Sequence, residues 1–137
     1  IYLYLSSTDD IVVYLHGHYF VSNQYLAGLF DGEGCVTYSN NMVKRKGKKK
    51  AYPTWNIRLE VNMTHKETIQ YLLDTFGCGH MNFRAKAPHQ TMDQWRWRCS
   101  HRDALHCAKR MFPFSITKKQ KLESIIKHYE VKDSRSI

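Results

Sequence analysis

The chain has 137 residues, with 21 lysines and arginines against 12 aspartates and glutamates, which gives a formal net charge of +9 at pH 7. This length suits one domain with its own core, and the basic excess favours nucleic acid over an acidic membrane surface, without separating DNA from RNA. No apolar run approaches the roughly 20 residues of a membrane-spanning helix. We therefore expect a soluble intracellular protein without a membrane partner.

The cysteines exclude a dense disulfide framework. They are Cys35, Cys78, Cys99 and Cys107, and no two of them form a CxxC pair. This pattern predicts free, buried thiols in a reducing compartment. An alternative is a zinc-binding module, for which the candidate ligands are Cys99, His101, His106 and Cys107. Their spacing fits no common zinc finger.

The first 21 residues are apolar and aromatic, and they carry no recognisable functional pattern. Residues 1–5 and 11–15 are typical of strands, and the polar residues 6–10 between them are typical of a turn. An acidic pair, Asp9 and Asp10, precedes the second apolar run, where a secretory signal would carry positive charge. We treat residues 1–21 as an N-terminal leader of unknown role, either processed or read through.

The next stretch, 22–34, predicts a short helix that ends in acid. Ser22 or Asn23 suits the N-cap, and apolar residues follow at i,i+4 spacing. A glycine inside a helix costs about 1 kcal/mol relative to alanine, so Gly28 predicts that another backbone packs closely against this helix. Gly32 and Gly34 are expected to stop it.

The carboxylates at this helix end are unusual. Asp31 and Glu33 would face the negative end of the helix dipole and the last free carbonyl groups. A bound cation would remove this conflict.

The remainder predicts two strand pairs, each followed by helix. Strands are expected at 35–39, 55–63, 80–85 and 94–100, with a loop from Asn40. A capping box from Thr64 to Glu67 begins a helix that Gly77 ends, Ser100 begins another that Pro113 breaks, and Thr117 caps the last. The fold class is α+β, in the order αββαββα with a further helix, and its four-stranded antiparallel sheet lies under the helices.

The polar sides of these strands carry Arg, Asn and Gln, where an ordinary solvent face would carry more Lys and Glu. Such side chains match base edges in a major groove wide enough for a two-stranded ribbon. The expected base-contacting set is Thr37, Ser39, Asn56, Arg58, Glu60, Asn62, Asn82, Arg84, Lys86, Gln94, Arg96 and Arg98.

A basic run between the first two strands predicts contacts to phosphates that flank this surface. It consists of Lys44, Arg45, Lys46, Lys48, Lys49 and Lys50.

Residues 26–34, LAGLFDGEG, resemble the motif of the LAGLIDADG homing endonucleases, with six of nine letters matching. The order of elements over about 22–129 is also similar to that fold, and we assign 22–132 to the endonuclease domain and 133–137 to a tail. The resemblance implies a homodimer, because one chain carries one motif. The expected interface residues are Leu26, Ala27, Gly28 and Asp31.

The resemblance also implies a site-specific endonuclease that cuts both strands of a long, pseudopalindromic DNA target. Glu33, where the family usually has Asp, would bind a divalent metal together with the Gly32 carbonyl. Mg²⁺ suits these hard oxygens, and Mn²⁺ or Ca²⁺ would substitute for it in binding. His65 falls at the position of a water-orienting Gln, and Lys118 at that of the active-site Lys.

Two other functions suit the same fold. An intron RNA maturase would assist splicing, and a catalytically silent regulator would bind DNA without cutting it. Glu33 and Lys118 argue against the silent regulator.

Overall fold

The computed structural model describes residues 2–5, 11–15, 18–19 and 22–135. Near the N-terminus, strands β1 (Tyr2–Leu5), β2 (Ile11–Leu15) and β3 (His18–Tyr19) form an antiparallel sheet in that order. The two predicted strands are thus confirmed, while the predicted turn at 6–10 lies outside the described residues. The assignment of 1–21 as a leader stays a prediction.

Helix α1 spans Asn23–Glu33 and begins as predicted. Ser22 is its N-cap, and the Ser22 hydroxyl accepts a hydrogen bond of 3.2 Å from the Tyr25 N–H. The expected stop at Gly32 is wrong, because the helix runs through Gly32 to Glu33 and Gly34 is the C-cap. A Cβ atom on Gly34 would overlap the Phe30 ring, so close packing requires glycine there.

The main sheet consists of β4 (Gly34–Lys44), β5 (Ala51–Met63), β6 (His80–Arg84) and β7 (Gln94–Ser100). Its order is β4-β5-β7-β6, and every neighbouring pair is antiparallel. The expected loop from Asn40 is wrong, because Asn40 pairs with Trp55 and the ladder continues to Lys44 opposite Ala51. Pairing with β5 satisfies the backbone groups of this polar segment and extends the hairpin.

Three further helices complete the described chain. They are α2 (Lys66–Phe76), α3 (His101–Met111) and α4 (Lys119–Ser134), and a 3₁₀ turn, Phe112–Phe114, follows α3. Gly77 ends α2, as predicted, and it adopts the left-handed conformation.

Two predicted caps are wrong. Helix α2 is capped by His65 instead of Thr64, and the His65 imidazole accepts a hydrogen bond of 3.3 Å from the Thr68 N–H. At α4 the N-cap position belongs to Lys118. The hydroxyl of Thr117 instead donates to the Asp31 carbonyl at 3.0 Å, because Thr117 faces α1.

The core lies between the sheet and the helices. Alternate residues of β5, namely Ile57, Leu59 and Val61, are fully buried, and Trp97 of β7 stacks on Phe76 of α2 with ring centroids 4.8 Å apart. This confirms the α+β class and the four-stranded antiparallel sheet under helices. None of the helices in the described part of the chain is long and apolar enough to cross a membrane.

Candidate nucleic-acid interface and catalytic site

The polar residues of the main sheet share the face that the helices leave open. The strand register places Arg58 beside Thr37 and Glu60 beside Arg98, and Arg96 lies between Asn62 and Asn82. Since side chains alternate along a strand, the same face holds the predicted base-contacting residues: Thr37, Ser39, Asn56, Arg58, Glu60, Asn62, Asn82, Arg84, Gln94, Arg96 and Arg98. The exception is Lys86, which lies in the loop after β6.

Glu60 anchors the arginines at the centre of this face. Its Oε2 atom accepts from Arg98 Nε at 2.8 Å and from Arg98 Nη2 at 2.7 Å, and Arg58 Nε lies 3.9 Å away. Partial burial acts to raise the pKa of Glu60, but the hydrogen bonds and positive charge of Arg98 outweigh it and lower that pKa. Glu60 therefore stays ionised and fixes the Arg98 guanidinium.

Arg96 brings an unpaired donor to this surface. Its Nε atom, like that of Arg58, is buried without a hydrogen-bond partner among the described residues. Desolvation, followed by the charge of Arg98, lowers the pKa of Arg96. Buried polar groups are rarely left unpaired, so Arg96 suits an incoming acceptor such as a guanine edge or a phosphate.

The predicted basic run lies at the tip of the β4–β5 hairpin and is exposed throughout. The Lys48 N–H donates to the Arg45 carbonyl at 3.0 Å, and Gly47 has a φ of 80°, which closes the turn. These cations stand beyond the central sheet surface, at the end of its longest hairpin. Such a tip can contact phosphates beside a bound duplex.

Glu33 is exposed and is the last residue of α1. Gly34 pairs with Val61, so the end of α1 meets the sheet beside the last residues of β5. The Lys118 N–H lies 3.3 Å from Oδ1 of Asp31, a residue of α1 that precedes Glu33 by two positions. The fold thus brings the start of α4 to the acidic end of α1.

Asp31 joins these two elements inside one chain. Its carboxylate accepts from the Ser115 hydroxyl at 2.5 Å, the Ile116 N–H at 2.8 Å and the Lys118 N–H at 3.3 Å. Partial burial acts to raise the pKa of Asp31, but these hydrogen bonds outweigh it and hold that pKa below its ordinary value. The carboxylate of Asp31 is thus bound within its own chain, and a contact of Asp31 with a partner subunit stays a prediction.

Of the residues predicted at the dimer interface, Gly28 lies on the open side of α1, whereas two others lie in the core. Leu26 and Ala27, expected at the dimer interface, are 1% and 0% exposed and belong to the core of the chain itself. Gly28 and Gly32 are exposed, with no described atom within 4 Å of an added Cβ, and Tyr25 is 55% exposed. The spacing of glycines four apart could have indicated this side.

His65 is the N-cap residue of α2 in this structure. Its imidazole caps α2, Nδ1 lies 2.8 Å from the Thr68 hydroxyl, and Nε2 lies 3.4 Å from Glu67 Oε2. It follows the end of β5 and is exposed. A role in orienting water stays a prediction, and it would require His65 to give up part of this cap.

The zinc alternative is wrong for the residues named. His101 and His106 are exposed, whereas Cys99 and Cys107 are buried with their sulfurs 3.9 Å apart, and Cys78 lies 3.4 Å from Cys107. Residues six apart on one helix, such as His101 and Cys107, face different sides. Among the residues that the structure describes, no three His, Cys, Asp or Glu side chains are arranged to hold a metal ion.

The fold is that of the LAGLIDADG homing endonucleases, with the motif helix leading directly into the first strand of a basic, polar-faced sheet. No profile of a known protein family matches the chain, and no curated protein matches it. Solved structures do match. The homing endonuclease I-CvuI, in complex with its target and Ca, has a TM-score of 0.61 at 16% identity, covering 77% of this chain and 63% of that one.

Two larger structures agree with this assignment of the fold. The LAGLIDADG meganuclease I-AabMI, bound to uncleaved DNA, has a TM-score of 0.60 at 13% identity, covering 85% of this chain and 38% of its own. The LAGLIDADG homing endonuclease I-GzeII, in complex with its DNA target, has a TM-score of 0.60 at 14% identity and coverages of 84% and 37%. The chain therefore spans less than two thirds of each of these neighbours.

Proposed function

We propose that the chain is a subunit of a LAGLIDADG homing endonuclease, which acts as a homodimer and cleaves both strands of a long, pseudopalindromic DNA target. The observation that carries this proposal is that an exposed acid, Glu33, ends the motif helix directly beside an arginine-rich sheet face. The neighbours I-CvuI, I-AabMI and I-GzeII are each described in complex with DNA or a DNA target.

The sheet face would bind the duplex and position it. Arg58, Arg96 and Arg98 surround a single carboxylate, Glu60, so this face keeps an excess of positive charge toward the phosphates. Arginine pairs bidentately with guanine, and asparagine with adenine, in the major groove. Each subunit would contact half of the target, and a twofold axis would then favour a pseudopalindrome.

The donor set at the end of α1 fits a divalent metal. Glu33 offers an exposed carboxylate, and the neighbouring Gly32 offers a carbonyl at the helix end. Mg²⁺ is typically held by one or two carboxylates together with substrate phosphates, so one acid from each subunit is a suitable set. When bound, Mg²⁺ supplies charge that polarises the phosphate and lowers the pKa of an attacking water.

Other residues of this chain would complete the chemistry. The Lys118 ammonium, on the segment that Asp31 fixes, would stabilise the negative charge that develops on the phosphate. His65 would orient a water from the end of β5. Asp31 itself would act by holding Lys118 in place, which makes it a positioning residue.

Glu33→Gln tests this proposal, because it keeps the size of the side chain and removes its charge. We expect duplex affinity in Ca²⁺ to stay near that of the unmodified protein, while cleavage in Mg²⁺ falls by at least about a hundredfold, as when a key electrostatic group is removed. The substrate is DNA from the locus into which the gene is inserted. Glu130→Gln, which removes another exposed acid on a helix away from the proposed site, is the matched control. A Glu33→Gln protein that still cuts both strands at the original rate would refute the metal role.

The silent regulator and the maturase remain the competing functions. An unmodified protein that binds its site tightly and never cuts it would favour the regulator. Stimulation of intron splicing by a variant that cannot cleave DNA would favour the maturase. Neither function uses Glu33 as a metal ligand, so the same substitution separates them from the nuclease.

A further inference from the structure

An open groove lies on the helix side of the main sheet, away from the surface proposed to contact duplex DNA. It has a volume of about 720 Å³, within the range of roughly 300–1,000 Å³ that is usual for ligand sites. It is lined by Tyr38, Trp55, Ser124, Lys127, His128, Val131, Lys132 and Arg135. The middle of the β4–β5 hairpin forms the floor, and α4 from Ser124 onward forms the wall.

Aromatic side chains form the floor of this groove. Tyr38 and Trp55 stack with ring centroids 4.8 Å apart, and the Trp55 and His128 rings form a T-shaped pair with centroids 4.9 Å apart. The Tyr38 hydroxyl and His128 Nδ1 are 3.2 Å apart and share a hydrogen bond. These contacts fix the orientation of Trp55, which nonetheless remains 38% exposed. An indole that is fixed in orientation and partly exposed to solvent is a platform on which another flat ring can stack.

The wall formed by α4 is cationic. Lys127, Lys132 and Arg135 line the groove, and none of the described residues that line it carries a carboxylate. Lys127 is paired with Glu123 at 2.8 Å, but this exposed pair contributes little and is readily exchanged. Lys132 and Arg135 add positive charge at the C-terminal end of α4.

We propose that this groove binds an unpaired nucleotide of a single-stranded nucleic acid, with its base stacked on Trp55 and its phosphates held by Lys127, Lys132 and Arg135. Aromatic platforms beside basic residues are how single strands are commonly bound. An intact duplex does not fit this chemistry, because its bases are already stacked on one another. The groove is thus a second nucleic-acid site, independent of the sheet face.

The two possible sources of an unpaired nucleotide are RNA and DNA. Short fluorescein-labelled oligouridylate and oligothymidylate are the probes, and fluorescence anisotropy is the measurement. We expect both oligonucleotides to bind in the groove. A duplex should bind the sheet face and leave the oligonucleotides bound. Tighter binding of oligouridylate would identify the 2′-hydroxyl as a further contact and RNA as the source. Equal affinities for the two probes would show that the site recognises the base and phosphate that RNA and DNA share.

Trp55→Ala should weaken single-strand binding by about tenfold or more, as loss of a stacked base typically does, and Trp55→Phe should restore most of it. Phe83→Ala is the matched control, since Phe83 is 53% exposed on β6 but lies outside the groove. Thermal melting establishes that the variants are folded. Equal losses in Trp55→Ala and Phe83→Ala would overturn the proposal.

Lys132→Ala should weaken single-strand binding and lower its salt slope by about 0.7 for the one phosphate contact removed. Lys121→Ala, on the same helix but outside the groove, should leave both unchanged. Conversely, Arg96→Ala should weaken duplex binding alone. If polyglutamate at the same concentration of charge displaces oligouridylate, the groove binds anions in general and the proposal is overturned. The proposal is also overturned if the unmodified protein binds neither oligonucleotide.

Discussion

The Asp31 carboxylate at the end of α1 accepts a hydrogen bond of 2.5 Å from the Ser115 hydroxyl, 84 residues further along the chain. Ser115 is only 3% exposed, so this bond satisfies a buried hydroxyl as well as an acid. It ties the motif helix to the segment that leads into α4 and carries Lys118. The second acid of the motif, Glu33, remains exposed.

Asp31→Asn should therefore lower the free energy of unfolding by about 1–3 kcal/mol, since bonds to a charged group are lost and an amide cannot accept all three donors. The folded-state pKa of Asp31 lies below its ordinary value of 3.8. Its stabilisation is thus fully present above that ordinary value and is lost as pH falls through the lower, folded pKa. Chemical unfolding at neutral and acid pH measures both effects.

The acid dependence should be flatter in Asp31→Asn than in the unmodified protein. Asp74→Asn is the control, because Asp74 is exposed and its side chain accepts from the Gln70 amide alone among the residues that the structure describes. An Asp31→Asn protein as stable as this control would contradict the linking role.

Gly28→Ala should have opposite effects on the subunit and on the dimer. An added methyl meets no described atom within 4 Å in the subunit, so the isolated fold should gain up to about 1 kcal/mol from the better helix former. Dimerisation and cleavage should weaken, since the methyl separates the two packed helices, and Gly28→Leu should abolish them. Sedimentation with and without target DNA measures assembly. Glu130→Ala is the control, because Glu130 is exposed on α4. If the unmodified protein and every variant stay monomeric even with target DNA, the proposed dimer is contradicted.

Arg96→Ala and Lys48→Ala should affect duplex binding differently, the first in a sequence-dependent way and the second not. Arg96 lies on the sheet face, and its buried Nε has no hydrogen-bond partner in the described part of the chain. Its loss should therefore relax preference at particular base pairs, at about 1–3 kcal/mol of discrimination. Lys48 is exposed in the hairpin turn, so its loss should weaken all duplexes alike and reduce the salt slope by about one unit. Binding to a library of single base-pair variants at several salt concentrations separates the two. Equal, sequence-independent losses would refute the assignment.

Glu60→Gln should raise duplex affinity and lower its selectivity. The substitution removes the charge that fixes Arg98 at 2.7 Å, which leaves the arginine free to contact phosphates without regard to sequence. The ratio of affinities for the target and for an unrelated duplex is the measurement. Glu67→Gln leaves the sheet face unchanged and is the control. An unchanged ratio would show that Glu60 does not organise base recognition.

Thiol labelling should follow burial. Cys35 is exposed and should react first, whereas Cys99 and Cys107 are buried and should react only on unfolding. The pKa of Cys107 is raised, first through its contact with Cys99 and then through burial, so the less nucleophilic thiol form persists. Mass spectrometry of partially alkylated protein gives the order. Early modification of Cys107 would contradict this packing.

The sequence by itself determined the elements and their apolar sides. Alternation along 55–63 and helical spacing along 66–76 report local geometry, because each side chain's direction follows from its own backbone. The same periodicity placed Arg58, Glu60, Arg96 and Arg98 on one surface before any pairing was known. The motif at 26–34 indicated the fold, although neither a family profile nor a curated protein matches the chain.

Only the tertiary structure decided which contacts those elements make. The Asp31 carboxylate binds Ser115 of its own chain, and Leu26 and Ala27, which were expected at the dimer interface, are buried in the core. Long-range partners depend on which segments meet, and no local pattern in α1 specifies the segment 84 residues away. The groove at Trp55 arises in the same way, because β4, β5 and α4 form it only after they pack together. Periodicity therefore determined the surfaces, and packing determined what each surface contacts.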